Sequence, residues 1–253
     1  MPKSQLGNVA MDVVSGAESL ASLQKSLINR KKTAVYFLNA HCYNIAQKDE
    51  EYRNVINMAD LLLNDGVGIK MGARLFGVQL KENLNGTDFI PELLQLAAEK
   101  GFTAYLLGAG PGVAGKAAEH LQRAIPGLRI VGYRSGYFSK EENDAVVHEI
   151  NRLKPDILIV GRGVPIQEKW ISDNKESLNA TIILGVGAYI DFASGRIPRA
   201  PQIIRKLRLE WVYRLLLEPK RMWRRYLVGN FQFFYYVIKN KNLFNRKAEV
   251  QGP

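Results

Sequence analysis

Six short apolar runs punctuate the first three quarters of the chain: TAVYFLN (33–39), DLLLND (60–65), TAYLLG (103–108), LRIVGY (128–133), DILIVG (156–161) and TIILGVG (181–187). Runs this short, bounded by turn residues and without polar alternation, predict strands buried on both faces. Between them, residues 88–100, 113–124 and 141–153 carry apolar positions at helical spacing. Strand and helix in regular alternation predict a parallel sheet flanked by helices.

The predicted fold is therefore α/β, a Rossmann-like, mostly parallel sheet with helices on both faces. Several runs end directly in small or polar residues: Asn39, Asp65-Gly66, Gly108 to Gly112, Gly161-Arg162-Gly163 and Gly185-Val186-Gly187. Ligands of open α/β sheets sit beyond the carboxyl ends of the strands, so these loops are expected to build the site.

After Arg196-Ile-Pro-Arg-Ala-Pro201 the pattern changes. Apolar residues 203, 204, 207, 211, 212, 215 and 216 recur at helical spacing, and Pro219 stops that helix and suits the first turn of another. The chain thus divides into a sheet domain, 1–195, and a helical appendage, 196–253. Charge follows the same division. Residues 196–253 hold 14 Lys and Arg against three acids, whereas residues 1–195 hold 21 of each sign. The whole net charge of +11 belongs to the appendage.

The appendage also carries ten of the chain's 24 aromatic residues, and the stretch Tyr226 to Ile238, YLVGNFQFFYYVI, is free of charge. A bilayer-spanning helix needs about 20 apolar residues, so this stretch is too short to cross. A basic, aromatic helix can lie in the headgroup layer, which makes an anionic membrane surface the expected partner. The alternative is that the aromatics pack on the neutral body and leave the arginines as a solvated face. Nucleic acid is not an expected partner, because no recognition motif accompanies the charge.

Of the 253 residues, 47% are hydrophobic and 23% charged, which excludes a disordered or low-complexity chain. Cys42 is the single cysteine, so neither a disulfide framework nor a multi-cysteine zinc site is available and a reducing compartment is expected. The opening MPKSQLGNVAMDVVSG has no apolar run after its lysine, which argues against a secretory signal and for the cytoplasm.

Gly108, Gly110 and Gly112 follow a strand and precede a helix, an arrangement that turns backbone N–H groups toward an anionic or polar part of a nucleotide. A dinucleotide fingerprint would put its third glycine where Val113 stands, and no acidic residue follows at the usual distance, so a nicotinamide enzyme is the weaker reading. Asp65 ends a buried run, where a carboxylate is costly unless the loop opens on a polar cleft. It reads either as an Asp-Gly turn or as a general base. His41 and Cys42 are neighbours whose side chains would diverge on a strand, which makes them packing residues near the site rather than a nucleophile and its base. The chain has no Asp-x-Asp, His-x-x-x-His or Cys-x-x-Cys spacing to clamp a divalent metal. Any diphosphate would then be neutralised by arginine, with Arg214, Arg221, Arg224 and Arg225 as candidates. Positions 221, 224 and 225 share one face of a helix.

The segments DGVGIKMGARLFG (65–77), NGTDFIPELLQLAAEKG (85–101), LLGAGPGVAGKAAEHL (106–121), GYFS (136–139), KPDILIVGRGVPIQEKW (154–170), LGVGAYIDFASGRIPRAPQ (184–202) and LEWVYRLLLEPKRMWRRY (209–226) resemble the WecG/TagA/CpsF glycosyltransferase family. The resemblance runs in order over roughly residues 8–228. It implies an inverting, metal-independent transfer of a sugar from a UDP-sugar to an undecaprenyl-diphosphate-linked saccharide, at the inner face of the bacterial membrane, in surface polysaccharide assembly. No cofactor is implied.

By this resemblance Asp65 deprotonates the acceptor hydroxyl, while Arg214, Arg221 and Arg224 offset charge on the departing diphosphate. Asn39, Asn85, Thr87, Asp88, the Gly108 to Gly112 loop, Tyr137, Gln167, Asp191 and Arg225 would bind substrate, with Asp191 accepting from the uracil N–H. Docking of the appendage on the membrane would complete the active site. Phe37 stands where relatives that transfer N-acetylmannosamine have a small hydroxyl residue, and Asn83-Leu84-Asn85 stands where an arginine is common. The sugar is left open between an N-acetylmannosamine and a glucose type. A non-catalytic polyanion-binding module is the alternative from another class, and a homo-oligomer is compatible with the apolar surface a body without its appendage would expose.

Overall fold

A computed structural model describes residues 3–207 and 209–250, apart from the side chains of Lys206, Arg221 and 244–250. The six apolar runs form β3 (Thr33–Leu38), β4 (Leu61–Asn64), β5 (Thr103–Gly108), β6 (Arg129–Arg134), β7 (Ile157–Gly161) and β8 (Ile182–Gly185) of one sheet. Its order is β4-β3-β8-β7-β5-β6, and every neighbouring pair is parallel. Every residue of β3, β4, β5, β7 and β8 is buried, whereas the edge strand β6 is not. Full burial explains why the runs showed no polar alternation.

Period-two side chains divide the interior into two layers. Ala34, Tyr36 and Leu38 of β3 join Tyr105, Leu158 and Ile183 on one face. Val35 and Phe37 join Leu106, Ile159 and Leu184 on the other. Helices α1 (Gly16–Ile28), α5 (Gly86–Lys100), α6 (Val113–Ala124) and α9 (Tyr189–Ala193) cover the second face. Helices α2 (Ala40–Lys48), α3 (Glu50–Asn57), α4 (Val67–Leu75), α7 (Asn143–Leu153) and α8 (Ile166–Asn174) cover the first.

A hairpin of β1 (Lys3–Leu6) and β2 (Val9–Asp12) was not anticipated. Its only local sign is the Gly7-Asn8 pair between two four-residue strands, with Gly7 at φ 64°. The Asp12 carboxylate accepts from Leu62 N–H at 2.8 Å, which fixes the hairpin beside β4.

The appendage is helical, with α10 (Gln202–Lys206), α11 (Glu210–Leu217), α12 (Pro219–Trp223), a π-helical turn (Arg224–Val228) and α13 (Gly229–Val250). The single helix expected over 203–216 is broken between α10 and α11. No glycine or proline lies in 202–217, so the local sequence gave no warning. Pro219 does open α12. The run from 219 onward is one continuous helical path with a π-turn in its middle. Such turns insert an extra residue into the helix and are frequent at functional sites.

Phe233 and Val237 of α13 are buried in the first core layer with Tyr43, Ile69 and Ala73. The Phe233 ring meets Tyr43 edge to face, 5.3 Å between centroids. Gly72 is the contact point on α4, since a Cβ there would stand 2.8 Å from Phe233 Cζ. Phe231, Tyr235 and Ile238 of α13 are exposed, as are Leu216, Trp223 and Leu227 elsewhere in the appendage. One row of the appendage's apolar residues therefore packs on the body and another faces outward. No helix of the described residues is long and apolar enough to cross a membrane.

Candidate active site

The Asp65 N–H donates to Leu38 O at 2.8 Å, extending the β3–β4 ladder one residue past the end of β4. This places Asp65 beside Asn39, the residue after β3. Asn39 is extended, at φ −115°, ψ 175°, and caps α2 by accepting from Cys42 N–H at 3.0 Å. Its Nδ2 lies 3.5 Å from Asp65 Oδ2. Gly66 follows at φ 95°, a region closed to most side chains, and turns the chain into α4. Asn83 holds that turn by accepting from Gly66 N–H at 2.6 Å.

Burial pushes the Asp65 carboxyl up to about 6; Asn39, Arg225 and Arg214 pull it down and Glu210 pushes it up. A carboxylate poised there is suited to take a proton near neutral pH. Three of these influences come from the appendage, so the C-terminal helices lie over the cleft.

The guanidinium of Arg214 lies 5.1 Å above the Phe192 ring, and its buried Nε and Nη2 have no hydrogen-bond partner among the described residues. Arg224 and Arg225 lie on the π-turn, not on one face of a regular helix as their spacing suggested. Arg225 also depresses His41, whose pKa falls to about 4, mainly through burial, so its imidazole is neutral. Arg224 and Arg225 line a cavity together with His41. The Arg221 side chain lies outside the described residues.

On the nucleotide side, the three glycines have three different reasons. Gly108 ends β5 against β7, where a Cβ would come within 2.6 Å of Gly161 O, so close packing alone requires it. Gly112 begins α6 at φ 75° without a side-chain cap, leaving that helix start to backbone N–H groups. Gly110 is under neither constraint; a Cβ there would stand 3.5 Å from Arg196 Nη1, an ordinary contact. Arg196 in turn bonds Asp191 Oδ1 at 3.2 Å, which brings Asp191 to the same loop. Tyr137 is exposed and follows Gly136, whose N–H donates to Ala109 O at 3.0 Å. Gln167 is buried; its Oε1 accepts from Gly187 N–H at 2.9 Å and its Nε2 donates to Glu168 at 2.7 Å. It thus positions the loop after β8.

Asn85 caps α5, accepting from Asp88 N–H at 3.0 Å and from Thr87 Oγ1 at 2.7 Å. Arg199 donates to Thr87 Oγ1 at 3.2 Å and to the Asp88 carboxylate, and Arg205 lies 3.8 Å from Asp88. Burial works against ionisation at Asp88, yet Asn85 and Arg199 hold its carboxyl below the usual range. Thr87 and Asp88 therefore tie the start of α5 to the segment leading into the appendage.

Arg196 and Arg199 were not among the candidate residues, and Arg162 appeared only within a loop expected to build the site. Arg162 stacks 3.8 Å over Phe138 and donates from Nε to Gly136 O at 2.9 Å. Its place directly after β7 was a readable signal, whereas Thr87 and Asp88, which Arg199 holds, lie more than a hundred residues from it. His41 and Cys42 begin helix α2 rather than ending a strand. Cys42 is buried and its thiol is pushed up to about 12, chiefly by burial, so it is no nucleophile. Among the described residues, no three His, Cys, Asp or Glu side chains gather into a metal site.

An N-acetylglucosaminyldiphosphoundecaprenol N-acetyl-beta-D-mannosaminyltransferase of Bacillus subtilis is 34% identical over 206 residues, covering 81% of this chain and 79% of the relative. Enzymes of the same name from Bacillus spizizenii and Staphylococcus aureus are 31% and 28% identical, covering 89% and 98% of this chain and 86% and 96% of theirs. Among solved structures, a nicotinate phosphoribosyltransferase from Vibrio cholerae aligns at a TM-score of 0.25 and 14% identity, over 69% of this chain and 46% of that one, too distant to bear on function. The model of the glycosyl transferase WecG/TagA/CpsF family matches residues 4–247. The protein is a glycosyltransferase belonging to the WecG/TagA/CpsF family.

Proposed function

We propose that the chain transfers a sugar, of N-acetylmannosamine or glucose type, from its UDP donor to a saccharide linked through diphosphate to undecaprenol. The relatives' names favour N-acetylmannosamine as the sugar and diphosphate-linked N-acetylglucosamine as the acceptor. The observation that carries the reading is Asp65, at a pKa of about 6, under the electrostatic influence of Arg214, whose buried Nε and Nη2 have no hydrogen-bond partner among the described residues.

In this reading the nucleotide lies over the Gly108 to Gly112 loop, near Asp191, Tyr137 and the Gln167-held Gly187. Asp65 takes the proton of the acceptor hydroxyl as its oxygen bonds to C1 of the donor sugar. The C1–O bond to the diphosphate breaks on the opposite face, UDP leaves with the electron pair, and the anomeric centre inverts. The β linkage in the relatives' names is what such a displacement gives from an α-linked donor. Arg214 and Arg225, with Arg221 and Arg224 on the same helical run, offset the negative charge that develops on UDP, a task that requires no metal ion.

The outward face of the appendage, with Phe231 and Tyr235 exposed, suits an anionic membrane surface, which would hold the enzyme where a lipid-linked acceptor resides. The test is UDP release from UDP-N-acetylmannosamine or UDP-glucose with a short-chain lipid-diphosphate N-acetylglucosamine acceptor, in EDTA. Acceptor-dependent release with one of the two donors is expected. Turnover only after metal addition would overturn the metal-independent mechanism, and no release with either donor would overturn the substrate reading.

A further inference from the structure

A cavity of about 430 Å³ lies between α2 and the helical run from 219 onward, its wall including His41, Asn44, Lys48, Arg224, Arg225 and Gln232. This volume is within the range of small-ligand sites. Asn44, only 5% exposed, donates from Nδ2 to Gly229 O at 2.7 Å, which fixes its amide against the appendage. Its buried Oδ1 has no partner among the described residues. A buried acceptor without a donor is costly, so this atom points to an occupant that supplies an O–H or N–H. Lys48 and Arg224 make no ion pair among the described residues. Leu227 and Val228 of the neighbouring π-turn and Phe231 of α13 are exposed.

The wall thus combines three cationic side chains, Lys48, Arg224 and Arg225, with one hydrogen-bond acceptor, and exposed apolar side chains stand beside it. The nucleotide does not meet this description, because the cavity is on the wrong side of the sheet. Helix α6, which starts the glycine loop's anion site, packs on the second core layer, and α2 and α13 pack on the first. Asp65 sits between them at the carboxyl edge. An acceptor attacking C1 must come from the face opposite the departing UDP, which is the side the cavity occupies.

We propose that this cavity seats the sugar diphosphate of the lipid-linked acceptor. Lys48 and Arg224 hold the diphosphate, Asn44 Oδ1 accepts from a hydroxyl or amide N–H of the sugar, and the lipid leaves past Leu227 and Phe231. The assignment rests on the acceptor class proposed above. It moves Arg224 from the departing diphosphate to that of the acceptor, leaves Arg225, which lines the cavity and acts on Asp65, between the two diphosphates, and gives Asn44 and Lys48 a part in acceptor specificity.

Calorimetric binding tests it without turnover, with farnesyl-diphospho-N-acetylglucosamine, farnesyl diphosphate and UDP as probes of the full chain. Lys48→Gln is expected to weaken the glycosylated probe about tenfold, the effect of losing one charge-assisted contact, and to leave UDP unchanged. Lys48→Arg should restore binding, which a merely structural lysine would not require. Asn44→Ala should erase the preference for the glycosylated probe over farnesyl diphosphate; if that variant fails to fold, the two Lys48 variants decide. Equal weakening of UDP would assign the cavity to the donor and overturn the proposal, as would unchanged affinity of the glycosylated probe in Lys48→Gln. A wild-type chain that binds UDP but neither farnesyl probe would instead overturn the acceptor reading beneath it.

Discussion

Asn39 and Asp65 meet across the adjacent carboxyl ends of two parallel strands, Nδ2 to Oδ2 at 3.5 Å, although 26 residues separate them in the chain. The same Asn39 side chain caps α2 through Cys42 N–H. One residue thus fixes the direction of a helix and supports the ionised form of the proposed base.

If Asp65 is the base, it must be ionised to act. Its pKa of about 6 places the acid limb of kcat/KM there: activity is lost as pH falls through that value and is full above it. Asp65→Asn should lower kcat by about 10²–10⁴-fold. UDP affinity should stay near that of the wild type. A pH–rate profile with no limb between 5 and 7, or near-normal kcat in the variant, removes Asp65 from the mechanism.

The appendage sets the position of that limb. Arg225 pulls the Asp65 pKa down and Glu210 pushes it up. Arg225→Gln is therefore expected to move the acid limb to higher pH and Glu210→Gln to move it lower. Profiles that coincide for both variants and the wild type would mean that the C-terminal helices do not sit over the cleft during catalysis.

Glu168 is 1% exposed, and burial raises its carboxyl to about 7. A folded-state value above the unfolded one means its contribution to stability is complete below the unfolded pKa and is lost as pH rises through about 7. Glu168→Gln, which keeps a carbonyl oxygen to accept from Gln167 Nε2, should flatten that loss. Melting temperatures at pH 5 and pH 8 test it: the difference between the two should be smaller in the variant than in the wild type.

Gly72 and Phe233 join the body to the appendage. A Cβ on residue 72 would meet Phe233 Cζ at 2.8 Å, inside a packed layer that cannot yield cheaply. Gly72→Ala is expected to cost about 1–3 kcal/mol in chemical denaturation. Adding Phe233→Leu should recover part of the loss, and strict additivity of the two would show that they do not touch.

The sequence by itself determined the sheet. Runs such as DILIVG and TIILGVG are buried on both faces, and only a strand between helices satisfies that pattern, so all six strands were legible within a residue or two. It also marked Asp65, Asn39 and the glycine loop, because small and polar residues directly after such strands lie at the carboxyl edge, and helical periodicity and charge together marked 196–253 as a basic stretch of different character. The β1–β2 hairpin was missed because four-residue strands around Gly7-Asn8 give too short a pattern to read.

Only the tertiary structure decided where the appendage goes. Periodicity showed that 226–238 is apolar and aromatic, but not that Phe233 and Val237 face Tyr43 and Ile69 while Phe231 and Tyr235 face outward. It could not reveal that α10 breaks from α11, that Arg224 and Arg225 lie on a π-turn, or that Asp88 is held by Arg199. The physical reason is the same in each case. Strand burial and loop chemistry are written in neighbouring residues, whereas these contacts join parts of the chain that only folding brings within reach.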